Sequence, residues 1–120
     1  MPRNIIAVVD DLFFASKIRG TAEALGVTVT FARNLEALIE AARLASPSLI
    51  ICDLHSQKVD PMEVAKQLKA DEQLRSIPLL GFFSHVQTEL KNNAELAGFD
   101  RVIPRSAFSK DLGEILSRTK

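Results

Sequence analysis

The sequence predicts an α/β fold: a five-stranded parallel sheet in the order 2-1-3-4-5, doubly wound, with helices on both faces. Three observations carry that expectation. Short β-branched runs alternate with helix-period patterns along the chain. The first and third runs, "IIAVV" at 5–9 and "SLIIC" at 48–52, are nearly all apolar, as strands covered on both faces are. The connections are short, so parallel neighbours must be joined through the helices in right-handed crossovers. Among doubly wound orders, 2-1-3-4-5 suits 120 residues and sets strands 1 and 3 side by side at the topological switch point. The span 1–120 reads as a single domain with no output domain.

The elements follow in order. After the first strand, a helical face is marked by Phe14, Ile18, Thr21 and Leu25, and Gly26 stands where a left-handed C′ residue is wanted. The second strand is "VTVTF" at 27–31. Asn34 offers an N-cap to a helix carrying Leu35, Leu38, Ile39 and Ala42 on one face, and Pro47 stops it. The third strand ends in Asp53. "DPME" at 60–63 supplies an N-cap aspartate, a proline at N1 and a glutamate at N3, a capping box with Asp in place of Ser or Thr. The fourth strand, "PLLGFF" at 78–83, precedes a helix that ends at Gly98; the fifth is "RVI" at 101–103. The final helix should follow Ser109, and Gly113 within it, costing about 1 kcal/mol relative to alanine, makes it the softest.

Composition narrows the function. The 15 basic and 15 acidic residues cancel, so no overall field draws the chain to nucleic acid or to an anionic membrane. Cys52 is the only cysteine and lies inside an apolar run, which rules out an internal disulfide and suits a reducing, cytoplasmic setting. The five apolar residues before Asp10 are too few for a signal peptide or a membrane span.

Chemistry is expected at the C-terminal edge of the sheet, where open α/β sheets bind ligands. Asp10 and Asp11 end strand 1 and Asp53 ends strand 3, so three carboxylates should converge there. Such a cluster repels itself unless a cation neutralises it, and the hard, oxygen-seeking Mg2+ does so while leaving room for a phosphoryl group. An aspartate beside Mg2+ can itself attack phosphorus to form an aspartyl phosphate. A lone strand-end aspartate is as easily a helix N-cap; it is the pairing of Asp53 with Asp10 and Asp11 that favours a functional pocket.

"VVDD" at 8–11, "IICDL" at 50–54 and "GFDRVIPRSAF" at 98–108 resemble, in order and spacing, the receiver domains of bacterial response regulators, a CheY-like, flavodoxin-like (βα)5 family. The likeness covers essentially the whole chain. It implies that Asp53 is the phosphoacceptor served by a histidine kinase or phosphotransfer protein. It also implies that Asp10 and Asp11 hold Mg2+ with Asp53, and that the main-chain carbonyl of His55 is a further ligand. The output would leave through the face formed by helix 4, strand 5 and helix 5.

The remaining motif positions depart from the family, which makes this an atypical member. Arg105 stands where the family has its phosphate-contacting lysine, and Ser106 replaces the proline after it. The hydroxyl residue at the end of strand 4 falls on Phe83, leaving Ser84, one residue later, as the nearby hydroxyl. Val102 occupies the aromatic switch position. After Asp53 the usual proline and glycine become Gln57 and Pro61, although Asp60 remains.

His55 and His85 sit at strand ends beside loops and read as solvated residues rather than zinc ligands. Phe82, Phe83, Phe99 and Phe108 cluster on the side of strands 4 and 5, most of them as core with a partial contribution to a partner surface as the alternative, and "RSAFSK" at 105–110 reads as a solvated loop in which Arg105 gains a partner once a phosphoryl group arrives. Three functions remain open: a phosphoacceptor switch, a phosphorylation-independent pseudo-receiver acting as an interaction module, and a small α/β enzyme such as a phosphohydrolase or flavin-binding protein. The enzyme reading is the weakest, because no second acid follows two residues after Asp53 and no glycine- or Ser/Thr-rich phosphate loop follows strand 1.

Overall fold

The computed structural model describes residues 3–84 and 88–117. Five parallel strands form one sheet in the expected order, β2-β1-β3-β4-β5. They are β1 (Asn4–Val8), β2 (Thr28–Phe31), β3 (Leu49–Asp53), β4 (Leu79–Phe83) and β5 (Arg101–Pro104). The helices are α1 (Leu12–Leu25), α2 (Leu35–Ala45), α3 (Pro61–Ala70), α4 (Thr88–Ala97), α5 (Arg105–Lys110) and α6 (Leu112–Ser117).

Strand alternation sorts the side chains into two cores. Ile6, Val8, Ile50, Cys52, Leu79, Phe83 and Val102 pack with residues of α2, α3 and α4. Ile5, Ala7, Ile51, Leu80 and Phe82 face α1, α5 and α6. β3 and β4 are buried at every position, the reason their sequences are apolar without alternation. The pairings Val8 with Cys52 and Asp53 with Phe82 bring the C-terminal ends of β1, β3 and β4 to one edge.

Several local expectations shift. β1 ends at Val8, one residue early, so Asp10 and Asp11 lie in the loop beyond it. The buried face of α1 is Phe14, Ala15, Ile18 and Ala22; Thr21 is half-buried and Leu25 exposed. The cause is the helix end. Gly26, at φ 71°, donates to Glu23 O, and Val27 N donates to Ala22 O, a Schellman closure in which Val27 makes the apolar contact expected of Leu25. The glycine at 98 closes α4 in the same way, with Phe99 N donating to Ala94 O and the Phe99 ring buried.

The α2 cap is as expected, with Asn34 Oδ1 accepting from Ala37 N. At α3, Asp60 accepts from Met62 N, but Glu63 accepts from Gln67, so the reciprocal half of the capping box is not made. The C-terminal helix starts at Arg105 rather than after Ser109, because Phe108 is fully buried and anchors this segment. Asp111 divides it from α6, and Gly113 falls in the first turn of α6. The four phenylalanines expected to cluster are all buried but on opposite faces: Phe82 and Phe108 pack with Phe14, whereas Phe83 and Phe99 lie with α3 and α4.

Candidate functional site

Asp53, the last residue of β3, is 8% exposed at the C-terminal edge of the sheet. The chain turns immediately, with Ser56 N donating to Asp53 O at 3.0 Å, and this turn aims His55 N at Asp53 Oδ1 at 2.9 Å. Asp53 Oδ2 accepts no hydrogen bond among the described residues. Burial raises the Asp53 pKa, as does the neighbouring Asp10 charge, while the His55 N–H, the His55 side chain and Arg105 act in the opposite sense.

Asp10 reaches the loop after β3. Its Oδ1 accepts from Ser56 Oγ and its Oδ2 from Gln57 N, both at 2.8 Å. Burial alone would raise its pKa, but these donors, with Lys58, outweigh burial and lower it. Ser56 is the residue that the sequence reading missed. It is buried, and its Oγ also accepts from Val59 N at 3.2 Å, so one hydroxyl both shapes the loop and ties it to Asp10. The signal was there to be used: a small hydroxyl residue three positions after the strand-end acid, where turns commonly bond their own backbone.

Asp11 has two uses. Oδ1 caps α1 by accepting from Phe13 N at 2.9 Å and Phe14 N at 3.2 Å, and Oδ2 accepts from Arg105 Nη2 at 2.8 Å. The Arg105 guanidinium and the two amides hold its pKa below the usual carboxylate range. The Arg105 guanidinium carbon also stands 4.2 Å from the centre of the Phe14 ring.

The structure therefore brings Asp10, Asp53 and Arg105 into one electrostatic neighbourhood and turns Asp11 toward the arginine. Among the described residues, no three of His, Cys, Asp and Glu gather as a ready cation cage. Asp11 uses Oδ1 on the α1 cap and Oδ2 on Arg105, while the Asp10 charge acts directly on Asp53. The donor chemistry still fits Mg2+. A hard ion needs only one or two carboxylates besides water and phosphate oxygens, and the two carboxylates Asp10 and Asp53 supply oxygen donors, Asp53 Oδ2 being without a hydrogen bond among the described residues.

Of the other expected residues, His55 is exposed in the turn, and His85 lies outside the described residues. Ser84 is exposed just beyond β4. Phe83 and Val102 are 6% and 7% exposed, in one core with Leu54 and Phe99. Burial and the Asp53 charge push the Cys52 thiol up to about 12, so it stays a protonated hydrophobe.

No family model matches the chain. The chain is 38% identical, over 81 residues, to the polar-differentiation response regulator DivK of Brucella anthropi, and 37% identical over the same length to that of Brucella ovis. Each match covers 67% of this chain and 65% of the relative's length. Among solved structures, the chemotaxis response regulator CheY4 of Vibrio cholerae superposes with a TM-score of 0.83 over 100% of both chains at 19% identity. The receiver domain of a sensor histidine kinase of Pseudomonas aeruginosa, described with a magnesium ion coordinated in its active site cleft, matches at TM-score 0.83 and 19% identity over 99% of this chain and 98% of its own.

Proposed function

Since this chain belongs to the receiver domains of two-component response regulators, we propose that it takes a phosphoryl group on Asp53 from a histidine kinase or phosphotransfer protein and signals by protein contact. The observation that carries the reading is a buried carboxyl at the switch-point edge of the sheet, held by one backbone amide and flanked by Asp10 and Arg105. Asp10 and Asp53 would hold Mg2+, with Asp11 and the His55 carbonyl as further oxygen donors; the magnesium described for the Pseudomonas aeruginosa domain supports that assignment. Bound there, the ion supplies charge neutralisation for the carboxylates and the phosphoryl oxygens.

The protein groups have distinct tasks. Asp53 Oδ2 attacks phosphorus as the phosphohistidine P–N bond breaks, and the bonding pair returns to the imidazole nitrogen. The His55 amide holds Oδ1, which orients the carboxyl for that attack. Arg105 would pair with the new phosphoryl oxygens, and Ser84, the hydroxyl one residue beyond the end of β4, would serve the same purpose. This makes the chain a signalling domain rather than a metabolic enzyme. No helix among the described residues is long and apolar enough to cross a membrane. The test is acetyl phosphate with Mg2+ read by intact mass: one phosphoryl mass should be added, and Asp53→Asn should abolish it. Labelling that persists in Asp53→Asn sinks the assignment.

A second reading, a module that no longer depends on phosphorylation, is favoured by the burial of Phe83 and Val102. Phe83 cannot donate a hydrogen bond to a phosphoryl oxygen, and Val102 is stiff at χ1. The partner face of α4, β5 and α5 would then be held in one state.

A further inference from the structure

The Arg105 guanidinium is held on two sides. Nη2 donates to Asp11 Oδ2 at 2.8 Å, and the guanidinium carbon lies 4.2 Å from the Phe14 centroid. Phe14 is a fixed platform, 7% exposed, with its ring 5.2 Å from Phe82 and 5.6 Å from Phe108. Phe82 and Phe108 themselves stack at 4.7 Å. Asp11 is fixed as well, because its other oxygen caps α1. One carboxylate and one π face thus form a rigid seat for a planar cation. A guanidinium can use both at once, stacking on its face while donating from its edge, which an ammonium cannot do equally well.

From this seat, we infer that Arg105 is a resident counter-cation of the acid site that competes with a divalent ion for the Asp11 carboxylate, so that Mg2+ enters by evicting it. The inference rests on the metal-binding reading of Asp10, Asp11 and Asp53 given above. It gives the lysine-to-arginine departure a consequence: metal affinity is set by how firmly the seat holds Arg105. It also joins two events, since the eviction that completes the metal site releases the side chain that can meet a phosphoryl group on Asp53.

The test is a Mg2+ titration of the whole chain followed by amide and arginine Nε–Hε NMR signals. It compares wild type, Arg105→Gln, Arg105→Lys and Lys58→Gln. Lys58 is the field control: it is exposed and its charge acts on Asp10. Arg105→Gln should tighten Mg2+ by about tenfold, the combined weight of an ion pair and a stacked cation. Arg105→Lys should tighten it by about threefold, because the charge stays and the stacking goes. Lys58→Gln should change it by less than about twofold. In wild type the Arg105 Nε–Hε signal should move in step with Mg2+ occupancy. Equal effects of Arg105→Gln and Lys58→Gln, with an unmoved arginine signal, overturn the competition while leaving the metal site standing. Failure of all four proteins to bind Mg2+ overturns both.

Discussion

Asp53→Asn separates the electrostatics of the site from its packing. Asparagine has the shape of aspartate, and its Oδ1 can still accept from His55 N, so the change removes a buried charge and little else. The sign follows from the raised Asp53 pKa. A carboxyl whose folded pKa lies above its unfolded value contributes stability that is present below the unfolded value, 3.8, and is lost as pH rises through the folded value. At pH 7 wild type therefore carries a penalty that the variant escapes. Relief of charge strain at a functional position is typically worth about 1–2 kcal/mol, roughly 4–8 °C in Tm for a chain of this size. Urea melts in EDTA at pH 7, 5 and 3.5 should show the variant more stable at pH 7 and the two converging at pH 3.5. Excess Mg2+ should narrow the neutral-pH gap, since an ion at ten times its Kd adds about 1.4 kcal/mol to wild type alone. A variant less stable than wild type at pH 7, or a gap independent of pH, would refute the argument.

Mg2+ or Mn2+ should raise the wild-type Tm, and Asp11→Asn should remove most of that gain in a thermal melt; an unchanged Tm in excess Mg2+ counts against a working acid pocket. Gly81→Ala should cost about 1–3 kcal/mol in a urea melt, because its Cβ would lie 2.8 Å from Leu54 Cδ2 and 3.1 Å from Phe99 Cδ2; an unshifted midpoint would mean that this packing yields freely. Beryllofluoride should move amide signals near Asp53 and Arg105 and leave α4 and β5 nearly still, and large shifts across that face would show that Ser84 or another group has taken over the missing hydroxyl's role.

The fold was legible because its determinants are local and repeated. "SLIIC" reads as a strand covered on both faces, and Gly26, Asn34 and Asp60 announce their caps by residue type. Leu25 was misread because periodicity says which way a side chain points, not where the helix turns away. The Schellman closure moved the apolar contact to Val27. In the site, strand order placed Asp10 and Asp53 together, since Val8 pairs with Cys52. The pairing of Asp11 with Arg105 was not legible. It depends on Phe108 pulling the start of α5 back to Arg105 and on the Phe14 ring lying beneath the guanidinium, two contacts between residues about 90 positions apart in the sequence.

Those same contacts bear on where a signal can leave the acid site. On the α3 and α4 side, the end of β4 is filled by apolar atoms: Gly81 lies between Cys52 and Val102 in the sheet, and Leu54 and Phe99 close over it. Close-packed side chains in one arrangement offer a ligand no second state to select, however tightly it binds. On the other side, Arg105 belongs to α5, its partner Asp11 caps α1, and Lys17 of α1 donates to Ser109 of α5. If Asp53 takes a phosphoryl group as proposed, Arg105 would have two alternative anionic partners, Asp11 and that group, and would be a two-state element beside it. Its displacement would change the ion pairing between α1 and α5 without any movement of Phe83 or Val102. On the proposed phosphoacceptor reading, Phe83 and Val102 would therefore leave the α4–β5 face silent, while the seat of Arg105 would offer a second route through α1 and α5.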